Sequence, residues 1–134
     1  MVQLAADWLT RRGHAVTLPA VRVTPDPSKQ EEYADEGDLY IQQRIEVKHL
    51  SAQFTGRQDW PFKDFIVCAK HSFDNAFPKP HAYIILSKDL CHVAVVMAAN
   101  HKSWTVSERT DKRYDNIKQD FYFSPLDQVL WGHL

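Results

Sequence analysis

Apolar and polar positions alternate along this chain in short runs, and their period changes from segment to segment. Leu4, Ala5, Trp8 and Leu9 recur at helical spacing within Val2 to Arg12, which predicts an amphipathic helix. Gly13 stands where a helix takes a left-handed closing residue, and Arg11 and Arg12 suit the negative end of its dipole. His14 to Thr24 carries Val16, Leu18, Val21 and Val23 around a break at Pro19, and reads as an extended segment or a bent strand pair. Pro25 to Gly37 reads as a loop. Strands are expected over Asp38 to Ile41 and Arg44 to Leu50, followed by a polar loop from Ser51 to Pro61. Phe62 to Phe77 carries two signals. Phe62, Phe65, Ile66, Ala69 and Phe73 fit a helix, which is the preferred reading, while Phe65 to Cys68 has strand propensity. His81 to Ser87 and His92 to Met97 are apolar runs on either side of a polar turn at Lys88 and Asp89, and predict a hairpin. Trp104 to Asp120 is polar and locally basic. Asp120 to Leu134 is expected to close the chain with a short aromatic strand and a last helical turn.

Composition narrows the class. The 134 residues are 44% hydrophobic and 25% charged, which excludes a disordered or fibrous chain and fits a single α/β domain over residues 1–134. Asp7, Arg11 and Arg12 interrupt any signal-peptide core, and no run approaches the roughly 18 apolar residues needed to span a bilayer. No membrane partner is expected. Cys68 and Cys91 are too few for a disulfide framework and read as buried thiols in a reducing cytoplasm. The net charge of −1 argues against coating nucleic acid by bulk charge, but it is unevenly spread. Asp26, Glu31, Glu32, Asp35, Glu36 and Asp38 face only Lys29, a local −5 that leaves +4 on the rest of the chain.

The chemistry concentrates where the strand alternation is clearest. Leu39, Ile41, Ile45 and Val47 occupy odd positions, and Asp38, Tyr40, Glu46 and Lys48 even ones, so the two sets point to opposite faces. If the two strands pair antiparallel with their apolar faces in one core, a three-residue connection sets Asp38 opposite Glu46, with Cβ atoms roughly 4.5–5.5 Å apart. Two carboxylates that close repel unless a cation lies between them. Such a pair suits Mg²⁺, with Mn²⁺ able to substitute, and the Val47 carbonyl could add a ligand. Lys48 shares the Glu46 face and could orient a water or stabilise a phosphoryl oxygen. On spacing alone, the commoner outcome for Asp38 and Glu-x-Lys is a solvated strand face.

Taken together, these residues resemble the PD-(D/E)xK nuclease superfamily, which has the restriction-endonuclease-like fold. The resemblance rests on a helix ending at Arg12-Gly13, a strand, Gly37-Asp38-Leu39, seven residues, and Glu46-Val47-Lys48, the order of small Holliday-junction-resolvase-like and phage nucleases. It covers roughly residues 2 to 50. It implies a central mixed β-sheet flanked by helices. It also implies Asp38 and Glu46 as metal ligands, Lys48 as the catalytic lysine, and Mg²⁺-dependent hydrolysis of DNA in phage or mobile-element replication, repair or recombination. A one-domain enzyme of this kind cuts one strand per site, so cutting both strands favours a homodimer. Two positions depart from the pattern. Many relatives carry a Glu roughly three helical turns before the closing Gly, where this chain has Val2, and Asp7 is the acid left on that helix. Glu36-Gly37 stands where the motif's name has Pro. The departure at Val2 motivates the rival reading, a catalytically decayed module that binds nucleic acid or assembles with a partner.

Further cations fit DNA-backbone contacts: Arg57, Lys63 and Lys70 after the motif, and Arg109, Lys112, Arg113 and Lys118 in the last third. Glu108, Asp111, Asp115 and Asp120 are interleaved with the latter group, so a self-neutralising surface is the default there. The pairs Cys68/His71 and Cys91/His92 lack a knuckle-type turn and are not read as a zinc site. His49 points away from Lys48 and reads as a packing or surface residue.

Overall fold

The period-2 segments dominate the architecture. A computed structural model describes residues 1–20, 26–28 and 37–134. It is mixed α/β, mostly strand, with three sheets and few helices among the described residues. The chain divides into two units, residues 1–43 and 44–134. Val21 and Val23 of the second expected segment, and Lys29, Glu31, Glu32, Asp35 and Glu36 of the acidic one, lie outside the described residues.

In the 1–43 unit the expected helix forms as α1, Val2–Arg11. Its end follows the sequence. Gly13 sits at φ +86°, and the amides of Gly13 and His14 donate to the carbonyls of Thr10 and Leu9 at 2.9 and 3.2 Å. These are the paired bonds of a Schellman cap, which satisfies carbonyls the helix leaves open. Ala6 is buried, while Leu4 and Trp8 are exposed. Beyond the cap, β1 (Ala15–Thr17) pairs antiparallel with β2 (Tyr40–Gln42), with Val16 opposite Ile41.

The 44–134 unit holds two sheets. One is mixed, in the order β3 (Arg44–His49), β5 (Pro80–Leu86), β6 (His92–Met97), β9 (Leu130–His133). β3 runs parallel to β5, and the other neighbours are antiparallel. The expected hairpin is present, with Ile84 opposite Val95. The second sheet, in the order β4, β8, β7, is antiparallel and comprises β4 (Phe65–Ala69), β7 (Thr105–Asp111) and β8 (Ile117–Ser124). Both sheets contribute to one core: Tyr83, Ile85, Ala94 and Val96 from the first, and Phe65, Val67, Cys68 and Tyr122 from the second. Phe54 is completely buried in that core, with its ring edge-on to Trp60 at 5.1 Å and Trp131 at 5.8 Å.

Several expectations need correction. The hairpin that would set Asp38 opposite Glu46 is not formed. β2 takes β1 as its partner and β3 takes β5, and the one residue between β2 and β3, Gln43, is too short a link to reverse the chain. The two faces of β3 are also opposite to those expected. Glu46 and Lys48 are the half-buried pair, while Ile45 and Val47 are 41% and 60% exposed. The parallel register explains this, because it sets Glu46 beside Tyr83 and Lys48 beside Ile85, both core residues. Phe62 to Phe77 is not one helix but β4 followed by the short α2 (Lys70–Asp74). Here pairing with β8 and burial of Phe65 and Val67 override helical spacing. The polar stretch after Trp104 forms the β7–β8 hairpin, whose turn places Asp115 and Asn116 at φ +51° and +59°, a region these two residue types tolerate. The sheet is mixed as expected, but in the 44–134 unit the second sheet, rather than flanking helices, supplies the facing half of the core. Cys91 is exposed instead of buried. No helix among the described residues is long and apolar enough to cross a membrane.

Phe54 gives the packing a direct test. Phe54→Ala removes a ring that touches Trp60 and Trp131 and leaves a cavity in the shared core. A loss of about 3–5 kcal/mol is expected from urea unfolding. A loss below about 1 kcal/mol would show that the aromatic cluster does not hold the unit together.

Candidate functional site

Glu46 and Lys48 are two residues apart on β3, so they share a face, and that face opens into a cavity of about 520 Å³. Arg44 precedes them on the same face. β5 contributes Tyr83, the end of β4 contributes Cys68, α2 contributes His71, and the β7–β8 hairpin contributes Arg113 and Gln119. Among the described residues Glu46 is the only carboxylate on the wall, against Arg44, Lys48 and Arg113, so the cavity lining carries an excess of positive charge and suits an anion.

Lys48 is held by a defect in the neighbouring sheet. In the β4–β8 ladder Ile66 faces Phe123 and Cys68 faces Tyr122, so Val67 is the extra residue of a β-bulge. The Lys48 ammonium donates to the Val67 carbonyl at 2.5 Å, and it stands 5.6 Å from the centre of the Tyr83 ring. An ammonium has three protons, so two remain for other acceptors. Burial lowers its pKa below the usual lysine value, and Arg113 lowers it further, while Cys68 and Glu46 act in the opposite sense. Beneath it, burial raises the Tyr83 hydroxyl, as does its hydrogen bond with Cys68. Burial likewise raises the Cys68 thiol, so at neutral pH this thiol is not an activated nucleophile.

The other charges are fixed by partners. Arg44 Nε donates to Glu46 Oε1 at 2.6 Å. Arg113 forks onto Asp111, Nε to Oδ1 at 3.0 Å and Nη2 to Oδ2 at 2.8 Å, and Gln119 adds a bond to Oδ2 at 2.7 Å. These bonds, chiefly those from Arg113, hold the Asp111 carboxyl down at about 2, so it remains the guanidinium's counter-ion at neutral pH.

The structure brings together three of the residues singled out in the sequence: Glu46, Lys48 and Arg113. Val47, expected to offer its carbonyl as a ligand, does not line this cavity, and its side chain lies on the exposed opposite face of the strand. Lys63 and Arg109 line a second cavity, which Lys48 and Arg113 also line. Arg109 pairs there with Asp64 at 3.0 Å. Lys70 is bonded to Asp74, Lys118 lies 3.8 Å from Glu108, and Arg57 and Lys112 are exposed and line neither cavity. Asp38 and Asp7 belong to the 1–43 unit. Asp38 is exposed in a bend before β2, and Asp7 is exposed on α1, accepting a hydrogen bond from Gln3 at 2.9 Å. Arg44, Tyr83 and Gln119 were not singled out in the sequence, whereas Asp111 was named there among the acids expected to neutralise the last-third cations, as it does with Arg113. Alternation alone places Arg44 on the Glu46 face, but nothing local marks Tyr83, which arrives through a pairing across more than thirty residues (Glu46 with Tyr83).

Mg²⁺ asks for near-octahedral oxygen ligands. The wall offers one carboxylate, already bonded to Arg44. Among the described residues no group of three or more His, Cys, Asp or Glu is arranged to hold a metal. The cavity's own donors therefore do not fit the ion.

Burial of Lys48 has a consequence for stability. Its folded pKa lies below 10.5, so as pH rises from the folded value toward 10.5 the unfolded chain holds the proton that the folded chain releases. Folding stability then rises with pH through that window. We expect wild type to gain stability relative to Lys48→Met as pH rises toward 10.5 in urea titrations, and parallel profiles would contradict the burial of this charge.

Comparison with known protein families, with curated proteins and with solved structures finds no match to this chain.

Proposed function

We propose that this protein is a deoxyribonuclease that hydrolyses DNA phosphodiester bonds, with Glu46 and Lys48 as its catalytic pair. The observation that carries this reading is the shared, half-buried placement of Glu46 and Lys48 on β3, facing one cavity with Arg113. A phosphodiester entering it meets two fixed cations. Lys48 keeps two protons for phosphoryl oxygens, and Arg113 offers the edge of its guanidinium not used by Asp111. Charge that grows on phosphorus oxygens in the transition state would be stabilised by these preplaced donors. Among the described residues Glu46 is the wall's only carboxylate and its candidate to take a proton from the attacking water, once Arg44 has moved from Oε1 to the substrate.

The Mg²⁺ cofactor, with Mn²⁺ as substitute, belongs to this proposal through the sequence motif alone, since the cavity wall itself supplies it no carboxylate beyond Glu46 among the described residues. No step above depends on the ion. A role in phage or mobile-element DNA metabolism, and a homodimer for cutting both strands, rest on the same resemblance.

The engaged state of Glu46 favours a second reading, a nuclease-like module that binds DNA without cutting it. Incubation of supercoiled plasmid and labelled linear and branched DNA, with and without Mg²⁺ or Mn²⁺, separates the two. Under the nuclease reading wild type cleaves at least one of these substrates, added metal raises the rate if the ion implied by the motif takes part, and Glu46→Ala or Lys48→Ala lowers the rate by about 10²-fold or more. Salt-sensitive DNA binding with no cleavage under any condition would favour the second reading. Cleavage unchanged in both variants would remove the assigned pair.

A further inference from the structure

The second cavity is also about 520 Å³, within the roughly 300–1,000 Å³ common for small-molecule sites. Its walls differ from those of the first. Trp60, Phe62, Ile66, Phe121 and Phe123 give it flat, apolar surfaces. Phe62 and Ile66 are 49% and 45% exposed, so these surfaces are open to a ligand. Its charged groups are the cations Lys48, Lys63, Arg109 and Arg113 and the acids Asp64 and Asp111. Both acids are taken up by arginines, Asp64 by Arg109 and Asp111 by Arg113. Lys48 and Arg113 line this cavity and the first one alike.

An aromatic, apolar pocket with cations shared with an anion-binding cavity matches one unit of a nucleic acid strand. A nucleotide carries a planar ring on one side and a phosphodiester on the other. We propose that the second cavity receives an unpaired base of DNA whose neighbouring phosphodiester lies at Lys48 and Arg113. This rests on the nuclease reading and names its substrate class: single-stranded DNA, or the unpaired bases of a junction or flap. In a continuous duplex both faces of each base are covered by its neighbours, so an aromatic wall can meet a base only after it is unstacked. An apolar peptide side chain would fill the same walls but would bring no counter-charge to the Lys48 ammonium, which is bonded to a carbonyl rather than to a carboxylate.

Fluorescence anisotropy in EDTA, which prevents metal-dependent cleavage, tests this with three probes: an oligothymidylate, an abasic strand of the same length, and the corresponding duplex. The oligothymidylate should bind at least about tenfold more tightly than the other two. Phe62→Ala should weaken oligothymidylate binding by roughly 5- to 100-fold and leave the abasic strand unaffected. Ile66→Trp, which fills the cavity, should produce the same selective loss. The abasic strand serves as the control for folding, because a misfolded variant would lose both ligands. Equal binding of all three probes by wild type, or variants with wild-type urea unfolding that weaken all three equally or none, would overturn the base pocket while leaving DNA binding intact. Failure of wild type to bind any of the probes would overturn the nuclease reading together with it.

Discussion

The parallel ladder between β3 and β5 decides what this molecule can do. It is the contact that turns Glu46 and Lys48 inward, onto Tyr83 and Ile85, and leaves Ile45 and Val47 exposed. β3 is an edge strand, so the inward face need not be apolar along its whole length: the core closes beneath Tyr83 and Ile85, and the stems of Glu46 and Lys48 lie at its margin. A slip of one residue in that ladder would exchange the two faces and send both charged groups into solvent.

Once the face is set, the opposite sheet holds the charges in place. The Val67 bulge frees a carbonyl at the height of the Lys48 ammonium, and the β7–β8 hairpin presents Arg113 clamped by Asp111. Charged groups near a core cost desolvation unless they are bonded, and here each cation has a partner that also fixes its direction. Lys48 keeps free protons, and its partner is neutral. A preplaced ammonium bonded to a carbonyl, with Glu46 on the same wall already paired to Arg44, is what the proposed phosphodiester chemistry needs.

Much of the fold was legible along the chain. The first helix and its Gly13 cap, the β5–β6 hairpin and the alternation through residues 38–48 rest on local rules, and local rules hold where an element needs no distant partner. The sense of the β3 faces was not legible, because it depends on a parallel partner more than thirty residues away, and apolar Ile45 and Val47 suggested the opposite. For the same reason β4 was hidden beneath a helical spacing, and the β7–β8 hairpin within a polar stretch. The site was half legible. Glu46 and Lys48 stand out as a motif and Arg113 as one of several cations, but Arg44, Tyr83 and Asp111 gain meaning only when the sheets are assembled.

The central claim is that one cavity lined by Glu46, Lys48 and Arg113 receives a DNA phosphodiester. A crystal structure with a thymidine dinucleotide, which has a single internal phosphodiester, addresses it most directly. Phosphate oxygens within about 3.2 Å of Lys48 Nζ and the Arg113 guanidinium are the expected result. A dinucleotide seated instead on the outlying cations Arg57 and Lys112, with the cavity left to solvent, would contradict the account.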